Sequence, residues 1–259
     1  MTHHSRDWHN RRIWIVGASS GIGRATAELL LQQGAHVGLT ARSTAALQEL
    51  AEQYPNATVL PADVTDLAQL QLAFQQFCAT QPLDLYLHCA ADYLPMRAWT
   101  LDSPRMQDMM QINYGGVLNA LSLVTPDFLA RQSGHIAIIA SVAGYMGLPK
   151  ALAYGPTKAA LINLCESLYL DLKPHGIRVQ VINSGFVATA LTAKNDFKMP
   201  ALLSPEQAAE ALVHGLESTG FEITFPKRFT RVLQLIRCLP YGLRLKLLGK
   251  IDSTSSATP

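Results

Sequence analysis

The sequence predicts an α/β chain, a doubly wound parallel sheet of about seven strands in a single domain, and three observations carry that prediction. Short β-rich apolar runs alternate with longer segments of helical period. Those runs are apolar nearly throughout, not at every second position, as strands covered on both faces require. A glycine-rich turn follows the first run, where the first helix of such a sheet begins.

Seven runs read as strands: RIWIVG (12–17), AHVGLT (35–40), ATVLPA (57–62), LDLYLH (83–88), GHIAIIAS (134–141), IRVQVINS (177–184) and FEITF (221–225). Between the first two, IGRATAELLLQQG has helical spacing, and Gly34 stands where a C-terminal cap belongs. The stretch from Ser103 to Arg131 is long enough for one extended helix, and Leu152 to Leu172 for another. There is no internal repeat. The catalytic domain is expected over residues 1–225, followed by a basic amphipathic helical extension at 226–259.

Apolar residues make up 49% of the chain and charged ones only 15%, against roughly 25% in an average soluble domain. Part of the surface is therefore expected to be covered by a partner subunit, a lipid or a substrate. Cys78, Cys89, Cys165 and Cys238 are scattered without a C-x-x-C, which fits reduced thiols and neither a disulfide frame nor a metal site. His3, His4 and His9 stand in a polar arm read as solvated, and no histidine falls in a metal-ligand spacing. The start, MTHHSRDWHNRR, has no apolar run, and nowhere do about 18 apolar residues follow one another. A cytoplasmic protein is expected.

Charge is unevenly placed. From Pro226 to Lys250 there are seven Lys/Arg and no acid, while the chain before that carries fourteen basic and eighteen acidic residues. Phe229, Val232, Leu233, Ile236, Leu243 and Leu247 lie near one helical face of this segment, with Pro240 dividing it. A basic amphipathic segment reads as a peripheral contact with anionic lipid on the inner membrane face; folding over the substrate entrance or packing between subunits are the other readings. Nucleic acid is not an expected partner, because stacking aromatics are scarce and the body is acidic.

The first strand runs into GASSGIGRA. A strand, a tight turn through Gly17, Ser19, Ser20, Gly21, Ile22 and Gly23, and a helix N-terminus together seat a pyrophosphate on backbone N–H groups. This makes the sheet one of the Rossmann type. Between Glu28 and Glu49 there is no acid for an adenosine ribose 2′-hydroxyl, while Arg42 ends the second strand and suits a 2′-phosphate. The expected cofactor is NADP(H) in preference to NAD(H). Two Tyr/Lys pairs share a four-residue spacing, Tyr154 with Lys158 and Tyr169 with Lys173; spacing alone does not choose between them.

GASSGIG, ADV at 62–64, QINYGG at 111–116, IIASVAG at 138–144, YGPTKAA at 154–160 and NSGFVAT at 183–189 stand in the order seen in the short-chain dehydrogenase/reductase family. The chain resembles the single-domain branch of that family over residues 12 to 225. The resemblance implies a catalytic set of Asn113, Ser141, Tyr154 and Lys158. It further implies cofactor contacts at Asp63 and Val64 near the adenine, at Ala90, and at Thr189, and a homodimer or homotetramer. Ser141 precedes Tyr154 by the thirteen residues such enzymes show. Pro156 fits only a first helical turn, which starts the helix at Tyr154, whereas Tyr169 lies deep in that helix and reads as structural. Lys158 and the charge of an oxidised nicotinamide are expected to lower the Tyr154 pKa, and Ser141 to hydrogen-bond the substrate oxygen. Asn113 either holds a water linking Lys158 to solvent or braces a helix kink.

Three departures from the family stand out. Val16 replaces the usual Thr, His88 to Ala91 (HCAA) replace Asn-Asn-Ala-Gly, and Ser184 replaces Pro. An apolar contact between the first two places is expected in lieu of a polar one. Loops after strands four, five and six offer Leu94, Met96, Trp99, Tyr145, Met146, Leu148, Phe186, Leu191 and Met199, without a cluster of Arg or Lys. A lipophilic ketone or aldehyde is therefore the expected substrate. The alternatives are an epimerase or dehydratase with a retained nicotinamide, or a non-catalytic NADP-binding, membrane-docked interaction protein.

Overall fold

A computed structural model describes residues 8–197 and 199–255, so His3 and His4 lie outside it. Seven parallel strands form one sheet: β1 (Arg12–Val16), β2 (His36–Thr40), β3 (Ala57–Val59), β4 (Leu85–His88), β5 (Gly134–Ile139), β6 (Ile177–Ser184) and β7 (Glu222–Phe225), in the order β3-β2-β1-β4-β5-β6-β7. Helices cover both faces: α1 (Gly21–Gln32), α2 (Thr44–Ala51), α3 (Leu67–Cys78), α4 (Ser103–Met110), α5 (Gly116–Arg131), α6 (Tyr154–Leu172), α7 (Pro205–Glu217), α8 (Lys227–Arg237) and α9 (Tyr241–Ser255).

Alternation along β1 builds the two layers. Ile13 and Ile15 join Leu39, Leu87, Leu30 and Leu212 on one face, while Trp14 and Val16 join Tyr86, Ile138, Phe128 and Leu161 on the other. The side chains from Ile13 to Val16 are all fully buried, which is why the run shows no polar alternation. The strand order reverses between β1 and β4, and a crevice opens there at the carboxyl ends of the strands.

The structure trims or redirects several expectations. β3 stops at Val59, although Leu60 and Ala62 still donate backbone bonds to Leu39 and Ala41. β5 stops at Ile139, which frees Ser141 to turn into the crevice. The helix expected from Ser103 to Arg131 is broken by a wider π turn at Gln111–Gly115, centred on Asn113. In the N-terminal arm His9 is exposed as expected, but Trp8 is buried against the α1–α7 layer, and its indole donates to Glu217.

The tail does not present the single apolar face expected of it. Phe229, Leu233 and Ile236 of α8 pack into the main core, but Val232, Leu243 and Leu247 stay exposed. Pro240 stands between the end of α8 at Arg237 and the start of α9 at Tyr241, so residues on either side of it belong to two separate helices.

Candidate active site

A cavity of about 530 Å³ fills the crevice. Its walls include Gly17, Ser19, Ser20, Gly21, Ile22, Gly23, Arg42, Asp63, Val64, Ala90, Ser141, Tyr154, Lys158 and Thr189. Every catalytic and cofactor-binding candidate read from the sequence except Asn113 therefore lines one space.

The glycine turn is tight because its neighbours leave no room. A Cβ on Gly17 would stand 2.4 Å from the Ala90 nitrogen, and one on Gly23 would stand 2.1 Å from the Gly17 oxygen. Cys89 and Ala90 both donate backbone N–H bonds to the Val16 carbonyl. Val16 lies in the apolar cluster that Ala90 packs against. The two departures thus meet through main-chain bonds and apolar contact. Ser20 caps α1 without lending it a side-chain hydrogen bond, and no acid sits in the first turn. The first-turn N–H groups are left for an anion in the cavity. That arrangement fits a dinucleotide pyrophosphate.

Arg42 stands past the end of β2, close enough to Asp63 to act on it. Burial alone would raise the Asp63 carboxyl; hydrogen bonds from the Thr65 N–H and hydroxyl, with the Arg42 charge, outweigh it and hold the carboxyl below its usual range. Val64 is pinned beside them, since Asn119 donates to its carbonyl at 2.9 Å.

Ser141 caps the short turn Val142–Gly144, with its Oγ accepting from the Ala143 N–H at 3.1 Å. Tyr154 opens α6 and hydrogen-bonds Ser141; burial pushes its pKa up, with the Ser141 bond opposing. The lowering expected from Lys158 together with an oxidised nicotinamide is not seen in the protein alone. The physical reason is that burial dominates, and that Lys158 does not reach the phenol oxygen. Its Nζ donates to the Ile139 carbonyl at 2.9 Å and lies 5.5 Å from the Tyr154 ring centre. Lys158 is 1% exposed, and burial lowers its pKa to about 8, against opposing influences from Cys89 and Cys165.

Asn113 stands behind the cavity wall. Its Oδ1 accepts from the Asp92 N–H at 2.6 Å, while its Nδ2 donates to the Asp92 carbonyl at 2.9 Å and to Thr157 Oγ1 at 3.0 Å. It braces the loop after β4 and Thr157, the residue just before Lys158, against the π turn. His88 is buried nearby, with Nδ1 2.6 Å from the Tyr86 hydroxyl and Nε2 without a hydrogen-bond partner. Burial first, and the Lys158 charge second, lower its pKa to about 3.

The second Tyr/Lys pair sits elsewhere. Lys173 donates to the Tyr169 hydroxyl at 2.9 Å on the protein surface, and neither residue lines the cavity. Direct contact marks the solvated pair, and burial marks the other.

Leu148, Phe186 and Leu191 line the cavity as expected. Sequence reasoning missed Tyr93, whose ring stands edge-on to Tyr154 at 5.0 Å and whose hydroxyl donates to Asn195 at 2.5 Å. Its place after β4, one residue before Leu94, was the available signal. Phe197 was missed too; it packs on Phe186 at 5.8 Å between ring centres. Met96, Trp99, Tyr145 and Met146 line a neighbouring cavity. Leu94 packs into a satellite cluster with Met109, and Met199 takes a hydrogen bond from Asn195. The absence of a basic cluster also needs correction: Arg97, Lys150, Arg237 and Arg244 come together around the second cavity from segments distant in sequence. Among the described residues no group of His, Cys, Asp and Glu is placed to hold a metal.

Residues 11–199 match the family model described as short chain dehydrogenase. An uncharacterized oxidoreductase of Myxococcus xanthus (strain DK1622) is 32% identical over 239 residues, covering 90% of this chain and 94% of that protein. Among solved structures, a short chain dehydrogenase from Burkholderia cenocepacia J2315 in complex with NADP has a TM-score of 0.83 at 22% identity, over 93% of this chain and 99% of that one. A 3-oxoacyl-(acyl-carrier protein) reductase from Brucella melitensis with bound NAD has a TM-score of 0.75 at 24% identity, over 85% and 92%. These two likenesses are of fold.

Proposed function

The chain belongs to the short-chain dehydrogenase family of oxidoreductases, and on that premise we propose that it is an NADPH-preferring enzyme moving hydride between nicotinamide and the carbonyl or secondary alcohol of a hydrophobic substrate. One observation above all supports this reading. Ser141, Tyr154 and Lys158 open onto the same cavity as the glycine turn and Arg42, beside an apolar wall of Leu148, Phe186 and Leu191.

Gly17 to Gly23 would hold the pyrophosphate, Arg42 the 2′-phosphate, Asp63 and Val64 the adenine side, and Ala90 and Thr189 the remainder. When bound, the nicotinamide supplies the hydride. In reduction, Tyr154 gives its proton to the alkoxide forming on the substrate oxygen, while Ser141 donates a hydrogen bond to the same oxygen. Burial keeps the phenol protonated in the protein alone, which suits an acid waiting for substrate. Lys158, held at the Ile139 carbonyl, stabilises the phenolate left behind. Asn113 holds the loop after β4 in register with α6 through Thr157.

The extension at 226–259 adds a surface. Val232, Leu235, Tyr241, Leu243 and Leu245 are exposed among its cations, which supports peripheral contact with an anionic bilayer. Among the described residues no helix is long and apolar enough to cross a membrane. Exposed Met110, Leu118, Leu129 and Leu170 on α4, α5 and α6 support a homodimer or homotetramer.

Fluorescence titration with NADPH and NADH tests the cofactor reading. NADPH is expected to bind at least about tenfold more tightly, about 1.4 kcal/mol, and Arg42→Ala to remove that margin without weakening NADH. Equal binding by the wild type would make Arg42 a bystander.

A further inference from the structure

Beside the catalytic cavity lies a second one of about 780 Å³, and the two share Ala143, Leu148, Pro149 and Ala151 as a common wall. Its lining is apolar at Met96, Met146 and Leu152, basic at Arg97, Lys150, Arg237 and Arg244, and includes no carboxylate. Lys150 is engaged by Asp196. Arg237 and Arg244 make no ion pair among the described residues. The carboxylate reached through their contacts, Glu222, is taken up by Tyr145, Asn183 and Gln234.

Both guanidinium groups are nonetheless held in place. Arg237 lies 5.6 Å over the Tyr145 ring, Arg244 lies 4.2 Å over the Tyr241 ring, and Arg244 donates to the Arg237 carbonyl at 3.1 Å. Stacking fixes the plane of a guanidinium while leaving most of its five N–H donors unused. Both cations line one cavity, where an anion would relieve the repulsion of like charges. Planar forks of this kind match the oxygens of a phosphate or carboxylate. An anionic group at the rim, an apolar lining below it and a catalytic cavity across a shared wall define one ligand shape.

We propose that the second cavity is the head-group subsite of the substrate, which is an anionic amphiphile. Arg237 and Arg244 take its phosphate or carboxylate, and its chain crosses the wall at Leu148–Ala151 to bring a ketone or aldehyde carbon to Tyr154. The assignment of the carbonyl end rests on the proposed function; the head-group site rests on the second cavity alone.

Isothermal titration of the full-length protein with octyl phosphate, below its critical micelle concentration, and with octan-1-ol separates the head from the chain. Octyl phosphate is expected to bind about tenfold more tightly, about 1.4 kcal/mol, and octan-2-one to compete with it. R237Q/R244Q is expected to bring the phosphate and the alcohol level. R237K/R244K, which keeps the charge and loses the fork, is expected to retain part of the preference, so that a misfolded tail is told apart from a lost site. Equal binding of the two ligands by the wild type, a preference that survives R237Q/R244Q, or binding independent of octan-2-one would overturn the proposal. Pelleting with phosphatidylglycerol vesicles but not with phosphatidylcholine ones, without binding of monomeric octyl phosphate, would also overturn it and assign the arginines to a membrane surface. The titration involves no turnover. A protein that passes it yet reduces no carbonyl keeps the subsite and loses the Tyr154 reading, and one that reduces neutral ketones while ignoring the head group does the reverse.

Discussion

Replacing Lys158 by methionine is expected to stabilise the protein while abolishing its activity. Lys158 is 1% exposed, and burial takes its pKa from 10.5 to about 8. A lysine whose folded pKa lies below its unfolded value is destabilising wherever it is charged in both states. That penalty is complete below pH 8, falls away as the pH rises from about 8 to 10.5, and is gone above it. At 1.36 kcal/mol per unit the penalty is about 3 kcal/mol. Lys158→Met removes the charge with little change of shape, but leaves the Ile139 carbonyl without its donor, a loss of about 1 kcal/mol. The expected gain at pH 7 is about 2 kcal/mol, or roughly 4–8 °C in Tm for a chain of this size. Thermal melts of both proteins at pH 7, 8, 9 and 10 measure it. The difference cancels the titration of other groups and should shrink steadily across the series. A variant less stable than wild type at pH 7, or an advantage that does not shrink by pH 10, would show that the buried ammonium is not under strain. A residue that costs stability and is needed for turnover is the expected signature of an active site.

His88 acts in the same direction over a more acid window. Its pKa falls from 6.5 to about 3, so the stability it contributes is complete above pH 6.5 and lost as the pH drops toward 3. His88→Asn is expected to flatten the acid side of the stability curve, and an unchanged acid slope in chemical denaturation would contradict that. Tyr154→Phe removes the proton donor and should lower kcat by about 10²–10⁴-fold with NADPH affinity intact; activity near wild type would sink the mechanism. Leu235→Glu with Leu243→Glu places charge on exposed residues of the extension, and should abolish sedimentation with anionic vesicles without moving Tm. Equal pelleting of the two proteins would rule out the bilayer contact.

The strands were legible because a sheet buried on both faces writes itself as uninterrupted apolar runs, and the glycine turn because only glycine fits against Ala90 and the Gly17 carbonyl. The break at Asn113 was legible only in part. A brace at a helix kink was one of two readings of Asn113, and Gly115 and Gly116 weaken an α-helix there, but the π turn itself goes with tertiary bonds to Asp92 and Thr157. The sign of the Tyr154 shift was out of reach. Spacing brought Lys158 to the right turn of α6, but its ammonium bonds the Ile139 carbonyl, 5.5 Å from the Tyr154 ring centre, and burial dominates in the protein alone. The surface pair shows the same limit from the other side: Tyr169 and Lys173 share the spacing and even a hydrogen bond, and differ only in what surrounds them.

The basic extension shows most plainly what composition leaves open. Seven cations without an acid read as a solvated or lipid-facing helix when the segment is considered alone. Topology gives it a second face. β7 pairs in parallel with β6, with Phe225 beside Ser184, so β7 ends at the same edge of the sheet as the catalytic crevice. Whatever follows Phe225 must begin at the rim of the site. α8 does so, setting Phe229 5.8 Å from Phe186 of the cavity wall and Gln234 against Glu222. With Phe229, Leu233 and Ile236 turned into the core, the helix presents the end that carries Arg237 to the second cavity. One register thus serves packing on the inner face, leaves Leu235 and Val232 outward, and delivers the Arg237 guanidinium to the second cavity, where Arg244 joins it from α9. Charge that looks delocalised in the sequence becomes local because a parallel strand fixes where its helix starts.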